Sequence, residues 1–224
     1  MTHREWLAAA VLVTPLVGVL AAALVPHGLL ARVETVIASC TAIAATVLAV
    51  VALAEPGDRE LGRWIVVDPA GGLLIGVIGV IGLASALVSP QFLADRRGSL
   101  FRADHADRIY WAILFAFWAV LFAVPLAGNL GAAWLAIEAT TAASALLVGF
   151  SGRARALEAG WKYLILTSLG LGVALLGILV LEGAAGGGGL ETLTWRSLPH
   201  ASLDPEVTVI AYVLLLAGLA AKIG

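Results

Sequence analysis

Charge is what this sequence has least of: 13 basic and 15 acidic residues make up 12% of its 224 positions, where a soluble domain carries about 25%. With 61% hydrophobic residues, too little polar material remains to cover a globule in water. The exterior is expected to face lipid. The net charge of −2 leaves no basic field, so no nucleic-acid partner is expected. A single cysteine, Cys40, excludes an intrachain disulfide and any thiolate metal set, and reads as a small core residue. No histidines stand at helical metal-site spacing, and His27, His105 and His200 read as loop residues. Neither a metal nor a cofactor is therefore expected, and no Ser-His-Asp, paired-carboxylate or thiol site can be assembled. Gly186 to Gly189 lack a following Lys-Ser/Thr, which makes them a linker and not a phosphate loop.

What is present is long hydrophobic runs. A window of about 19 residues, enough to cross roughly 30 Å of hydrocarbon, finds spans at 6–25, 35–54, 71–90, 109–127, 130–150, 161–181 and 207–224. Membrane strands alternate polar and apolar residues, whereas Ala42 to Ala54 and Leu73 to Val88 do not. The expected fold is all-α, a polytopic transmembrane bundle forming a single domain over 1–224. Arg4, Arg59, Arg63 and Arg196 fall on one side of the spans. Arg32, Arg96, Arg97, Arg102, Arg108, Arg153, Arg155 and Lys162 fall on the other, so the positive-inside rule places the N-terminus outside. The tract from Glu182 to Glu206 reads as an external loop. Trp6, Trp64, Trp111, Trp134 and Trp161 lie near span ends, where indoles anchor at headgroup level.

Glu138 stands out. It lies about 12 Å into the fifth span, near the bilayer midplane, where an acidic group costs about 2.5–3.5 kcal/mol on insertion scales. Thr141 and Ser144 follow at steps of three, giving one polar stripe for the bundle interior, and Ala142, Ala145 and Gly149 allow close helix contact. The stripe suits either a proton-exchanging carboxyl or an acid hydrogen-bonded as packing glue. Lys162, at the mouth of the sixth span, reads on position alone as a snorkelling cation. Lys222 lies near the membrane face if the seventh helix is straight, and deeper if it breaks near Gly218. The chain stops at Gly224 without the usual polar flank, which reads as a truncated or split polypeptide. Asp104, His105 and Asp107 read as a solvated loop, and Asp68, before Pro69, as a helix-start residue.

The segment Asn129 to Thr141, with Glu138 inside it, then Ser144 to Phe150 and Leu157-Glu-Ala-Gly-Trp-Lys162-Tyr, resembles the antiporter-like membrane subunits of hydrogenase-4-type complexes, the component F type. These are related to complex I and to multisubunit cation/proton antiporters. Val67-Asp68-Pro-Ala-Gly-Gly-Leu and Ala217 to Gly224 support the likeness, which runs from about Asp68 onward. It implies the N-terminal half of a fold with about fourteen spans and inverted repeats. The fifth-helix glutamate of the family falls on Glu138, the sixth-helix lysine on Lys162, and the lysine of a broken seventh helix on Lys222, with Thr141, Ser144 and Asp68 as supporting polar groups. For Lys162 the resemblance implies a relay role in place of snorkelling. Absent are the family's Trp-Leu-Pro-Asp-Ala-His loop and second broken helix, and Leu-Ala-Ala-Lys replaces the more usual Gly-Thr-Lys.

The implied function is a non-catalytic subunit of a hydrogenase- or complex I-like oxidoreductase that moves protons through Glu138, Lys162 and Lys222. Opposite charges stabilise each other, so separating Glu138 from Lys162 would drive proton release toward Lys222. The expected partners are other membrane subunits, the lipid of a bacterial inner membrane, and protons or sodium. A sodium/proton antiporter subunit and a passive membrane anchor are the alternatives.

Overall fold

The computed structural model describes residues 3–55, 57, 59–94, 103–189, 193–200 and 203–223. Seven helices dominate: α1 (His3–Leu24), α2 (His27–Ala54), α3 (Pro69–Ala94), α4 (Ala103–Ala123), α5 (Leu130–Gly149), α6 (Ala154–Ala184) and α7 (Pro205–Ile223). All seven are long and apolar enough to cross a membrane. Each overlaps one expected span, and all but α5 begin at least two residues earlier than hydropathy places them, because their opening residues are polar or of low hydropathy and a hydropathy window excludes them. Arg96, Arg97, Arg102 and Gly224 lie outside the described residues.

Neighbouring helices pack in sequence order, α1 on α2, α2 on α3, α4 on α5, α5 on α6 and α6 on α7, and α1 also packs on α4. With no hydrophobic gain between helices in lipid, close approach rests on small residues. A methyl on Gly79 would stand 2.7 Å from Ala45 Cβ, and one on Gly18 would stand 2.6 Å from the Phe115 ring. The aromatic spine of α4 fills the first half of the bundle. Trp111, Phe115, Trp118 and Phe122 recur at steps of four and three, so they share one helix face, with successive ring centroids 5.8–6.1 Å apart. Large aliphatics such as Leu20, Leu74, Val80, Leu166 and Val209 are exposed, as a surface bathed in acyl chains requires.

Three sequence expectations change here. Trp111 is 1% exposed and belongs to the core spine, not to an interfacial belt, whereas Trp6, Trp64 and Trp161 are exposed. Cys40 is exposed on the outside of α2, because the inward stripe of that helix runs through Glu34, Ala38, Thr41 and Ala45. His27 and His105 also sit in the opening turns of α2 and α4, and His200 ends the 3-10 turn Leu198–His200.

Outside the spans, β1 (Arg59–Leu61) and β2 (Ile65–Val67) form an antiparallel ribbon, with Arg59 opposite Val67. Its turn needs Gly62 at φ +70, a left-handed conformation that other residues adopt at a cost. The ribbon fixes the entry of α5: Val66 N–H donates to Leu126 O at 2.9 Å and Gly128 N–H to Trp64 O at 2.8 Å. Fully buried Asn129 caps α5, its Oδ1 accepting from Ala132 N at 2.7 Å and its amide donating to Arg63 O at 2.6 Å. The tract after α6 docks on the same place, as Leu193 O accepts from Leu130 N and the Trp195 indole donates to Ala127 O at 2.6 Å.

At the other end Arg108 closes α1. Its guanidinium donates to the carbonyls of Ala22, Ala23 and Val25 at 2.7–2.9 Å, the orphan acceptors of a helix terminus. Arg108→Met is expected to lower stability by about 2 kcal/mol, the scale of charged hydrogen bonds lost to apolar replacement. A thermal melt of the detergent-solubilised protein checks it.

Candidate functional site

The polar residues of the second half converge where α5, α6 and α7 meet. The α5 and α6 helices run antiparallel in a fixed register. The Trp134 indole donates to Leu171 O at 2.7 Å, Ser168 pairs with Glu138, Ser144 with Tyr163, and Gly160 packs on Ala145. Glu138 is half-buried, and its Oε1 accepts from the Ser168 hydroxyl at 2.6 Å. Its Oε2 is buried with no hydrogen-bond partner among the described residues. One turn along α5, Thr141 is fully buried and Ser144 half-buried, so the stripe does face inward.

Lys222 reaches this stripe from α7. Its ammonium donates to Thr141 Oγ1 at 2.5 Å and to Tyr163 Oη at 3.2 Å, and it lies 5.6 Å from the centroid of the Tyr163 ring. Ser144 Oγ donates to the same Tyr163 oxygen at 3.2 Å. The helix that delivers Lys222 is unbroken from Pro205 to Ile223, with no break near Gly218. Depth comes instead from close packing: a methyl on Gly218 would stand 2.3 Å from Ala174 N and 2.6 Å from Gly170 O. The lysine approaches because α7 lies almost against the α6 backbone.

Lys162 is not in this cluster. Its ammonium pairs with Glu158 one turn back on α6 at 2.5 Å, and both side chains are more than half exposed. The structure therefore brings Glu138, Thr141, Ser144 and Lys222 to one interface and leaves Lys162 outside it. Asp68 lies apart as well, where its Oδ1 accepts from Gly71 N at 2.6 Å and starts α3. Sequence reasoning missed Tyr163 and Ser168. Their hydroxyls carry no charge, but the antiparallel register pairs each with a polar residue of α5.

This arrangement holds a carboxyl, a cation and hydroxyls that both donate and accept, in a mostly apolar surround. Such groups can pass a proton along a chain, because every hydroxyl can receive one as it gives one up.

Comparison with known proteins places the chain. Residues 127–224, which hold the whole cluster, match the family described as "NADH:quinone oxidoreductase/Mrp antiporter, TM". The hydrogenase-4 component F homolog of Methylacidiphilum infernorum (isolate V4) is 31% identical over 171 residues, covering 73% of this chain and 35% of that protein. The chain belongs to the antiporter-like family of complex I-related membrane subunits. A further antiporter-like relative, the NADH-quinone oxidoreductase subunit N of Myxococcus xanthus (strain DK1622), is 27% identical over 191 residues, covering 85% of this chain and 36% of that one.

Two solved structures share the fold. A chain of the membrane-bound sulfane sulfur reductase, an archaeal respiratory membrane complex, superposes with TM-score 0.78 at 20% identity, covering 95% of this chain and 44% of that one. A chain of respiratory complex I from Thermus thermophilus gives 0.71 at 16% identity, with 96% and 43% covered. These likenesses show a shared fold. The chain thus spans about a third of its curated antiporter-like relatives, and it is a multi-pass membrane protein.

Proposed function

We propose that this chain is a proton-conducting membrane subunit, or part of one, of a redox-driven hydrogenase- or complex I-like assembly, with Glu138 and Lys222 as its exchanging groups. The observation that carries the reading is the buried Oε2 of Glu138, without a partner among the described residues and one helical turn from a threonine that accepts a hydrogen bond from Lys222. An oxygen left unpaired in an apolar surround costs roughly 1–3 kcal/mol, a cost more readily retained in a group that works by gaining and losing a partner.

Thr141, Tyr163 and Ser144 bridge toward the lysine, and Ser168 holds the carboxyl in place. Lys162 is the outer cation of the relay. Its exposed pairing with Glu158 is weak, of order 0.3–0.5 kcal/mol for pairs of this spacing, so a small movement of α6 could redirect it toward Glu138. The driving signal would come from partner membrane subunits. The basic asymmetry of the loops supports an N-terminus on the outer face, in a bacterial inner membrane.

The test is turnover-driven pH change in vesicles carrying the intact assembly. Acidification or alkalinisation in sodium-free buffer supports proton conduction. A change that appears only with sodium would replace it by sodium/proton antiport, and no change in either would leave a passive anchor.

A further inference from the structure

Glu34 is the one fully buried acid among the described residues, and nothing in the Glu138 cluster uses it. It lies on α2 at 0% exposure, and neither carboxylate oxygen has a hydrogen-bond partner among the described residues. Ionised, such a group would face a desolvation cost of several kcal/mol with nothing to offset it. As the neutral acid it keeps a proton that it can release only if water reaches it.

At the start of α2 a cleft of about 260 Å³ is lined by His27, Leu30, Ala31, Pro90, Asp107 and Trp111. His27 Nε2 and Asp107 Oδ2 stand 3.6 Å apart on its lining, both partly exposed. His27, Leu30 or Ala31, and Glu34 follow one face of α2, so Glu34 lies one turn, about 6 Å, beyond the cleft lining. Leu30 and Trp111 of that lining are themselves buried, at 2% and 1% exposure. Beyond Glu34 the same core holds two more buried polar atoms without partners among the described residues, Thr14 Oγ1 on α1 and Trp118 Nε1 on α4. The contact of Gly18 with Phe115 and the tight α1–α2 connection put both about one turn further in. Three unpaired polar groups in one core are where ordered water finds its hydrogen bonds.

We infer that Glu34 is a second proton-binding carboxyl, separate from the Glu138 cluster, that exchanges its proton with the aqueous phase through the cleft between His27 and Asp107. Among the described residues the charged and titratable groups at that end are few. His27 and Arg32 lie on α2, and Asp104, His105, Asp107, Arg108 and Tyr110 on α4, with Arg108 occupied by the α1 carbonyls and Tyr110 paired with Ser89, while described α3 and residues 6–24 of α1 carry none. The His27–Asp107 pair is thus the titratable couple lining the entrance.

The experiment is infrared spectroscopy of the full chain in vesicles on transfer from H2O to D2O. A neutral-carboxyl stretching band that disappears in Glu34→Gln and shifts in D2O, more slowly in the His27→Ala/Asp107→Asn double variant, is the expected result. A Glu34→Gln spectrum that loses no such band overturns the inference, as does a band that never shifts or an exchange rate unchanged in the double variant. If Glu34→Gln fails to fold, the wild type suffices: an apolar carbodiimide should add to Glu34, mapped by mass spectrometry, and its failure to do so overturns the inference equally. Neither result depends on Glu138.

Discussion

Lys222→Met is expected to cut turnover-linked proton flux about a hundredfold or more while leaving the fold intact, since a positioned proton-transfer group contributes on the order of 10²–10⁴. Methionine matches the lysine stem in length but carries no proton. The two hydroxyls that Lys222 contacts are not stranded by its loss: Thr141 Oγ1 still donates to Ile137 O at 3.1 Å, and Tyr163 Oη still accepts from Ser144. The substitution therefore removes charge and proton capacity from the α5–α6–α7 interface without opening an unsatisfied core. Lys162→Met, at an exposed side chain paired only with Glu158, is expected to lose much less. Flux measured with a pH-sensitive dye, beside a blot for assembled subunit, separates the two effects. Equal losses in both variants would show that flux depends on the exposed Lys162 as much as on Lys222.

The second large effect is structural. Gly218→Val is expected to unseat α7, destabilise the α6–α7 pair by about 1–3 kcal/mol or more, and abolish flux with it. A Cβ at this position meets Ala174 N at 2.3 Å, Gly170 O at 2.6 Å and Ala174 Cβ at 2.7 Å. Two of these three are backbone atoms of α6, which cannot rotate aside. Only Ala211 and Gly218 are buried on α7, and α6 is the helix it mainly packs on, so little else holds it once that contact is pushed apart. Lys222 stands one turn beyond Gly218 and would leave Thr141 as the helix moves out. A melt of the solubilised protein and the vesicle assay both read this, and an unchanged melting temperature would show that α7 is not held there.

The spans were legible in the sequence because lipid imposes a length and a composition on every crossing segment. Which face of each span turns inward was not, since in an all-apolar helix the choice is made by partners. Cys40 and Trp111 show it: the first faces out and the second in, opposite to what their chemistry and span position suggest. Glu34 escaped notice for a related reason, as its polar first turn placed it one residue before the hydropathy window although α2 begins at His27. The ribbon of three-residue strands is too short for any alternation to register.

Within the candidate site, charge and spacing sufficed for Glu138, Thr141 and Ser144, and the family resemblance supplied Lys222. Tyr163 and Ser168 needed the antiparallel register of α5 and α6. That register also separates Lys162 from the cluster although it is the immediate neighbour of Tyr163, because adjacent residues on a helix point about 100° apart.

The most direct test lies at Glu138. In the intact assembly in vesicles, with electron transfer and proton movement recorded together, Glu138→Gln keeps the shape and the Ser168 contact but cannot ionise. Loss of proton movement with redox turnover still present, and recovery in Glu138→Asp, is the result expected here. Proton movement per turnover equal to wild type in Glu138→Gln would contradict it.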